Sequence, residues 1–102
     1  MKLFVVTYPN TECDNFTAEV CFAMSRAYKC GMKEMPDERD ANYYYIDFGK
    51  SQSMAEATEK RIKAGPNGLG NFMSDVVKSV YGLYRTDILS EDISLDDYIN
   101  MK

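Results

Sequence analysis

Lys2-Leu3-Phe4-Val5-Val6-Thr7-Tyr8 is a continuous run of apolar, β-branched and aromatic residues, closed by Pro9-Asn10. A run of this length bounded by a turn signal reads as a buried, central strand. The rest of the fold is read outward from it. Residues 10–15 form a polar loop, and Asp14 or Asn15 can cap a helix there. Phe16, Val20, Met24, Ala27 and Tyr28 then recur at helical spacing, predicting a helix over about 16–30 that stops at Gly31. Residues 32–41 are rich in charge, hold Pro36 and read as a solvated loop. Residues 42–48 read as a second strand, with Tyr44, Ile46 and Phe48 on one face and Tyr43, Tyr45 and Asp47 on the other.

Ser53 with Glu56 three residues later is a capping box, so a helix over about 54–64 is expected, ended by Gly65-Pro66. Leu69, Met73, Val76, Val77, Val80 and Tyr84 make a strong apolar stripe and predict a third helix over 71–84. Residues 84–89 can form a third strand, and Ser94 can cap a short final helix from Leu95 to Ile99. Two strands alone make a poor sheet. A third is expected from 84–89 or from a piece near 32–35, unless a second copy of the chain supplies it. The expected class is therefore α+β: a two- or three-stranded sheet packed with three helices and a short C-terminal helix.

The chain has 102 residues, 45% of them hydrophobic, which fits one globular domain spanning 1–102. No apolar run approaches the ~18 residues of a membrane span. The apolar patch after Lys2 is too short for a signal peptide, and a cytoplasmic location is expected. Three cysteines, an odd number, argue for free thiols in a reducing compartment. There is no histidine, which removes the commonest general base and the commonest metal ligand. Cys21 and Cys30, placed on the first helix, read as small apolar fillers, and their spacing with Cys13 fits no zinc pattern. Gly65-Pro66-Asn67-Gly68-Leu69-Gly70 lacks the lysine and Ser/Thr of a phosphate-binding loop. Asp92, Ser94 and Asp96 alternate like calcium ligands, but position six of such a loop is Asp97 and no glutamate closes it. Neither a cofactor nor a metal is expected.

Charge is distributed unevenly. Residues 1–85 hold eleven acids and eleven bases, while residues 86–102 hold five acids and Lys102, so this segment carries the whole net charge of −4. Its acids, Asp87, Glu91, Asp92, Asp96 and Asp97, are threaded with Ile88, Leu89, Ile93, Leu95, Tyr98 and Ile99. Such a segment can dock on its own domain by the apolar residues or on a basic partner by the acids. Tyr43 and Tyr45 are the remaining contact candidates, because a rigid ring gives binding area at little entropy cost. The acidic balance, with a pI near 4.7, argues against direct nucleic-acid binding.

The stretch Val6-Thr7-Tyr8-Pro9-Asn10-Thr11-Glu12-Cys13 runs strand, loop, cysteine, helix. This arrangement resembles the glutaredoxins, in which a strand ending in Thr-Tyr leads to a cysteine at a helix N-terminus. The resemblance implies a thiol made acidic by the helix dipole, with Cys13 as a single nucleophilic thiol. The pattern departs from the family where Phe16 replaces a second cysteine. It departs also in a connection to the second strand about ten residues too long, and in the missing Thr-Val-Pro segment.

Two function classes follow. The first is a small acidic, non-enzymatic binding protein. It would be an inhibitor or adaptor covering a basic surface of a nucleic-acid-binding protein, with Tyr43, Tyr45, Asp87, Glu91, Asp92, Asp96 and Asp97 as contacts. In size and charge the chain resembles compact inhibitors from phages, anti-CRISPR proteins among them. The alternative is a divergent monothiol redox protein using Cys13.

Overall fold

The structure, a computed structural model, describes residues 1–35, 40–66 and 80–101. Its elements are β1 (Lys2–Thr7), α1 (Glu12–Met24), β2 (Lys29–Met35), β3 (Ala41–Asp47), α2 (Gln52–Ala64), β4 (Leu83–Leu89) and α3 (Leu95–Ile99). The four strands form one antiparallel sheet in the order β2-β3-β1-β4. Strands β1 and β2 therefore run parallel with β3 between them. Strands β3 and β4 run parallel with β1 between them. This is the split β-α-β arrangement, used twice.

β1 is central, as its unbroken apolar run requires: Leu3, Phe4, Val5, Val6 and Thr7 are all at most 2% exposed. Side chains alternate across a pleated strand, so β1 feeds two cores. Leu3 and Val5 join Tyr44, Ile46 and Phe48 beneath α1 and α2, which contribute Cys13, Val20, Cys21, Ala55 and Ile62. Phe4 and Val6 join Ala41 and Tyr43 on the opposite face, where Tyr98 and Ile99 of α3 cover them. The alternation expected for residues 43–48 is thus observed, and the acidic C-terminal segment docks on its own sheet through its apolar residues.

Several sequence expectations are corrected. The sheet has four strands, because both candidate pieces, near 32–35 and at 84–89, are strands. The first helix runs from Glu12 to Met24 rather than over 16–30, with Thr11 as its cap: the Thr11 hydroxyl accepts the Asp14 N–H at 3.3 Å. It stops early because residues 29–35 gain a full ladder with β3, pairing Lys29 with Asp47 through to Met35 with Ala41. Cys30 therefore lies on β2, not on the first helix. The cap of α2 is Ser51, whose hydroxyl accepts the Met54 N–H at 3.3 Å, in place of Ser53. Most of the helix expected over 71–84 lies outside the described residues. Val80 and Tyr81 are helical, and strand begins at Leu83, so the helix cannot reach Tyr84. The loop read at 32–41 survives only beyond Met35, and residues 36–39 lie outside the described residues. α3 begins and ends as its Ser94 cap predicted.

Glycine matters at two contacts. Gly82 has φ +98° and a Cβ there would lie 2.0 Å from the Thr11 hydroxyl, so the turn into β4 needs the missing side chain. Gly31 on β2 sits under the Tyr45 ring, where a Cβ would meet a ring carbon at 2.4 Å.

Candidate functional site

The sequence-derived contact residues divide by burial. Tyr43 is 2% exposed and packs edge-on against Tyr98, ring centroids 6.4 Å apart. It cannot be an exposed contact, because α3 covers its face of the sheet. Tyr45 is half-buried between Gly31 and the Lys2 ammonium, which stands 5.7 Å from its ring centroid. Asp87 is half-buried and accepts the Tyr98 hydroxyl at 2.6 Å, and Arg85 Nε donates to the same hydroxyl at 2.9 Å. Glu91, Asp92, Asp96 and Asp97 are all exposed and form a carboxylate rim running into α3.

That rim is held in place by the residues between the acids. Tyr98 is 1% exposed and stacks on Phe4 at 4.2 Å with 8° between planes. Ile93 and Leu95 pack on the same cluster. Lys2 Nζ, anchored in β1, donates to the Ile93 carbonyl at 2.8 Å and pairs with Asp92 at 3.0 Å. The Lys2 ammonium thereby holds the Asp92 carboxyl below the usual carboxylate range. Lys33 pairs with Asp96 at 2.7 Å, and no ion pair is formed by Glu91 or Asp97 among the described residues. The rim can therefore offer carboxylates to cationic side chains in a fixed arrangement.

Cys13 does sit in the first turn of α1, as the strand-loop-cysteine pattern predicted, but it is fully buried. Burial pushes its thiol up to about 11, and contact with Thr17 at 3.7 Å only partly opposes this. A reactive thiol needs exposure and an acidic pKa, and Cys13 has neither. The connection between the first helix and the strand expected at residues 42–48 contains β2, Lys29–Met35. Cys21 is likewise buried and pushed up to about 12, and the half-buried Cys30 is raised in the same sense.

One polar centre escaped the sequence reading. Asp14 on α1, 8% exposed, accepts hydrogen bonds from Tyr44 OH at 2.6 Å, Thr7 Oγ1 at 2.8 Å, Asn42 Nδ2 at 2.9 Å and the Asn10 N–H at 3.2 Å. Burial works against the charge, but these donors outweigh it and hold the carboxyl below its usual range. Asp14 helps to line a pocket of about 250 Å³, together with Asn10, Met32, Glu34, Asp40 and Asn42. Asn10 and Asp40, with φ of 61° and 47°, both line it. Thr7 and Asn42 are opposite each other on β1 and β3, which only pairing reveals. Among the described residues no group of three or more cysteine and carboxylate side chains is arranged to hold a metal ion. No helix among them is long and apolar enough to cross a membrane. Comparison of the chain with protein-family models, curated proteins and solved structures finds no match.

Proposed function

We propose that this chain is a small acidic, non-enzymatic binding protein that covers a basic surface of another protein. Its contact surface is the rim of Glu91, Asp92, Asp96 and Asp97, with Asp87 and Tyr45 beside it. One observation carries the reading: the apolar residues of the C-terminal segment pack inward on β1 and β3, so its carboxylates are held outward on folded backbone. A fixed array of charge loses less entropy on association than a disordered acidic tail would. It also steers a cationic partner at long range. The class of partner that best matches it is a nucleic-acid-binding protein, whose surface is already built to accept a row of anions. In that role the chain acts as an inhibitor or adaptor in the cytoplasm, of the kind phages deploy against host defences, anti-CRISPR proteins included.

The test is a pull-down from the source organism or its host at about 0.05 M and about 0.5 M salt, which bracket strong and weak screening. A second bait carries Asp87→Asn, Glu91→Gln, Asp92→Asn, Asp96→Asn and Asp97→Asn, with its fold checked by circular dichroism. A basic protein captured by the wild type at low salt, and lost with the amide bait or at high salt, supports the reading. A partner held equally by both baits, or at both salt concentrations, overturns the acidic-rim assignment.

A further inference from the structure

The order β2-β3-β1-β4 leaves β2 and β4 at the two edges of the sheet. An edge strand presents unpaired N–H and C=O groups and can add a strand from another chain. Among the described residues nothing pairs with the outer edge of β4. Its sequence, Leu83-Tyr84-Arg85-Thr86-Asp87-Ile88-Leu89, is self-complementary when read against itself in the opposite direction. Centred on Thr86, antiparallel self-pairing sets Arg85 opposite Asp87 twice and Thr86 opposite Thr86.

The neighbouring registers fail. A two-fold axis normal to the sheet must lie midway between the two copies of one residue, because directly opposed side chains share a face. Centring on Arg85 opposes two guanidinium groups, and centring on Asp87 opposes two carboxylates. Like charges directly opposite are destabilising, and opposite charges are favourable. Arg85 and Asp87 pair with each other within the chain at 3.5 Å, yet their side chains are 41% and 43% exposed, so each has room to reach a second chain while keeping its bond to Tyr98. The irregularity in the β1–β4 ladder falls between Val6 and Thr7, beyond Arg85, so residues 85–89 keep a regular register. β2 has no such register. Centred on Met32 it sets Gly31 against Lys33 and Cys30 against Glu34, and its exposed lysines guard that edge.

We infer that the chain forms a two-fold homodimer by antiparallel pairing of β4 with β4 of a second copy, centred on Thr86, making one continuous eight-stranded sheet. Sedimentation of the wild type at high micromolar concentration should show a dimer. Arg85→Asp alone and Asp87→Arg alone should each be monomeric, because each opposes like charges across the axis. An equimolar mixture of the two should recover a heterodimer, since one chain then carries acid at both positions and the other carries base at both. Because both residues also meet Tyr98, circular dichroism must show each variant folded. A second probe avoids that site: Thr86→Cys should cross-link to a covalent dimer under oxidised glutathione, while the wild type stays uncross-linked. Wild-type sedimentation as a monomer throughout overturns the inference. So does unchanged dimerisation of either charge variant, or a Thr86→Cys chain that oxidises no faster than the wild type. These outcomes are independent of whether a basic partner is found.

Discussion

Asp14 is the residue on which most of the local structure converges. Its carboxylate ties the end of β1, the start of α1 and the start of β3 through Thr7, Asn10, Asn42 and Tyr44. Asp14→Asn keeps the shape but turns an amide donor toward groups that are themselves donors, and removes the charge from bonds worth about 1.5–3 kcal/mol each. The expected loss is on the order of 3 kcal/mol in urea unfolding at neutral pH. The pH dependence follows from the direction of the shift. The folded carboxyl is held below its unfolded value, so its contribution is complete above the unfolded value of about 3.9 and is lost as pH falls through the folded one. Wild-type stability should therefore drop below about pH 4 more steeply than that of Asp14→Asn. Equal acid sensitivity of the two proteins would count against the role given to Asp14. Cys13 gives a second expectation at this scale. With its thiol pushed up to about 11 and buried, it should alkylate at neutral pH far more slowly than a free cysteine peptide, and more slowly than the half-buried Cys30. Peptide mapping after timed iodoacetamide treatment reads both rates.

α3 shows how a five-residue helix is held by its tertiary contacts, those of Tyr98 foremost. Five residues do not make a stable helix by themselves. Tyr98 supplies what is missing: a stacked contact with Phe4, an edge contact with Tyr43 and a hydroxyl shared by Arg85 and Asp87. Removing a buried aromatic side chain costs about 3–5 kcal/mol, so Tyr98→Ala should release the segment from about residue 91 onward. Hydrogen exchange should show protection lost over 91–101 and at the covered face of β3. Tyr98→Phe keeps the stack and should cost less, about 1.5–3 kcal/mol, because the lost hydroxyl bonds two charged groups, Arg85 and Asp87. Protection retained in the alanine variant would mean that Lys2 and Ile93 hold the segment without Tyr98. At the turn into β4, Gly82→Ala forces a side chain onto Thr11 at positive φ. It should lower Tm markedly, by the equivalent of about 2 kcal/mol or more.

At the scale of the molecule, both cores share the backbone of β1, one above the sheet and one below. Loss of either core disturbs the strand that carries the other, so unfolding in urea should be a single transition. Far-UV circular dichroism and tyrosine fluorescence should trace the same curve. Separated midpoints would show that the α3 layer melts by itself. The sequence by itself determined those features whose cause is local. The apolar run of β1, the alternation over residues 43–48, the Ser94 cap and the stop at Gly65 each depend on neighbours within a few residues. The concentration of acid after residue 85 is equally plain in the chain. Only the tertiary structure decided the rest. Residues 29–35 are charged, contain Gly31 and are mostly exposed, so no local periodicity marks a strand. They become one because the edge of β3 supplies their hydrogen bonds and the Tyr45 ring covers Gly31. Tyr43 lies on the face expected for it, yet it is buried, because a helix more than fifty residues further along the chain folds over that face. Asp14 looked like a helix cap, but its partners Asn42 and Tyr44 lie 28 and 30 residues away. Cys13 stands at a helix N-terminus as its sequence context implied. Its environment is set by tertiary packing, and there desolvation outweighs the hydrogen bonds from Thr17 and Tyr81. Local spacing encodes the elements, but what each side chain meets depends on which distant elements the sheet order brings against it.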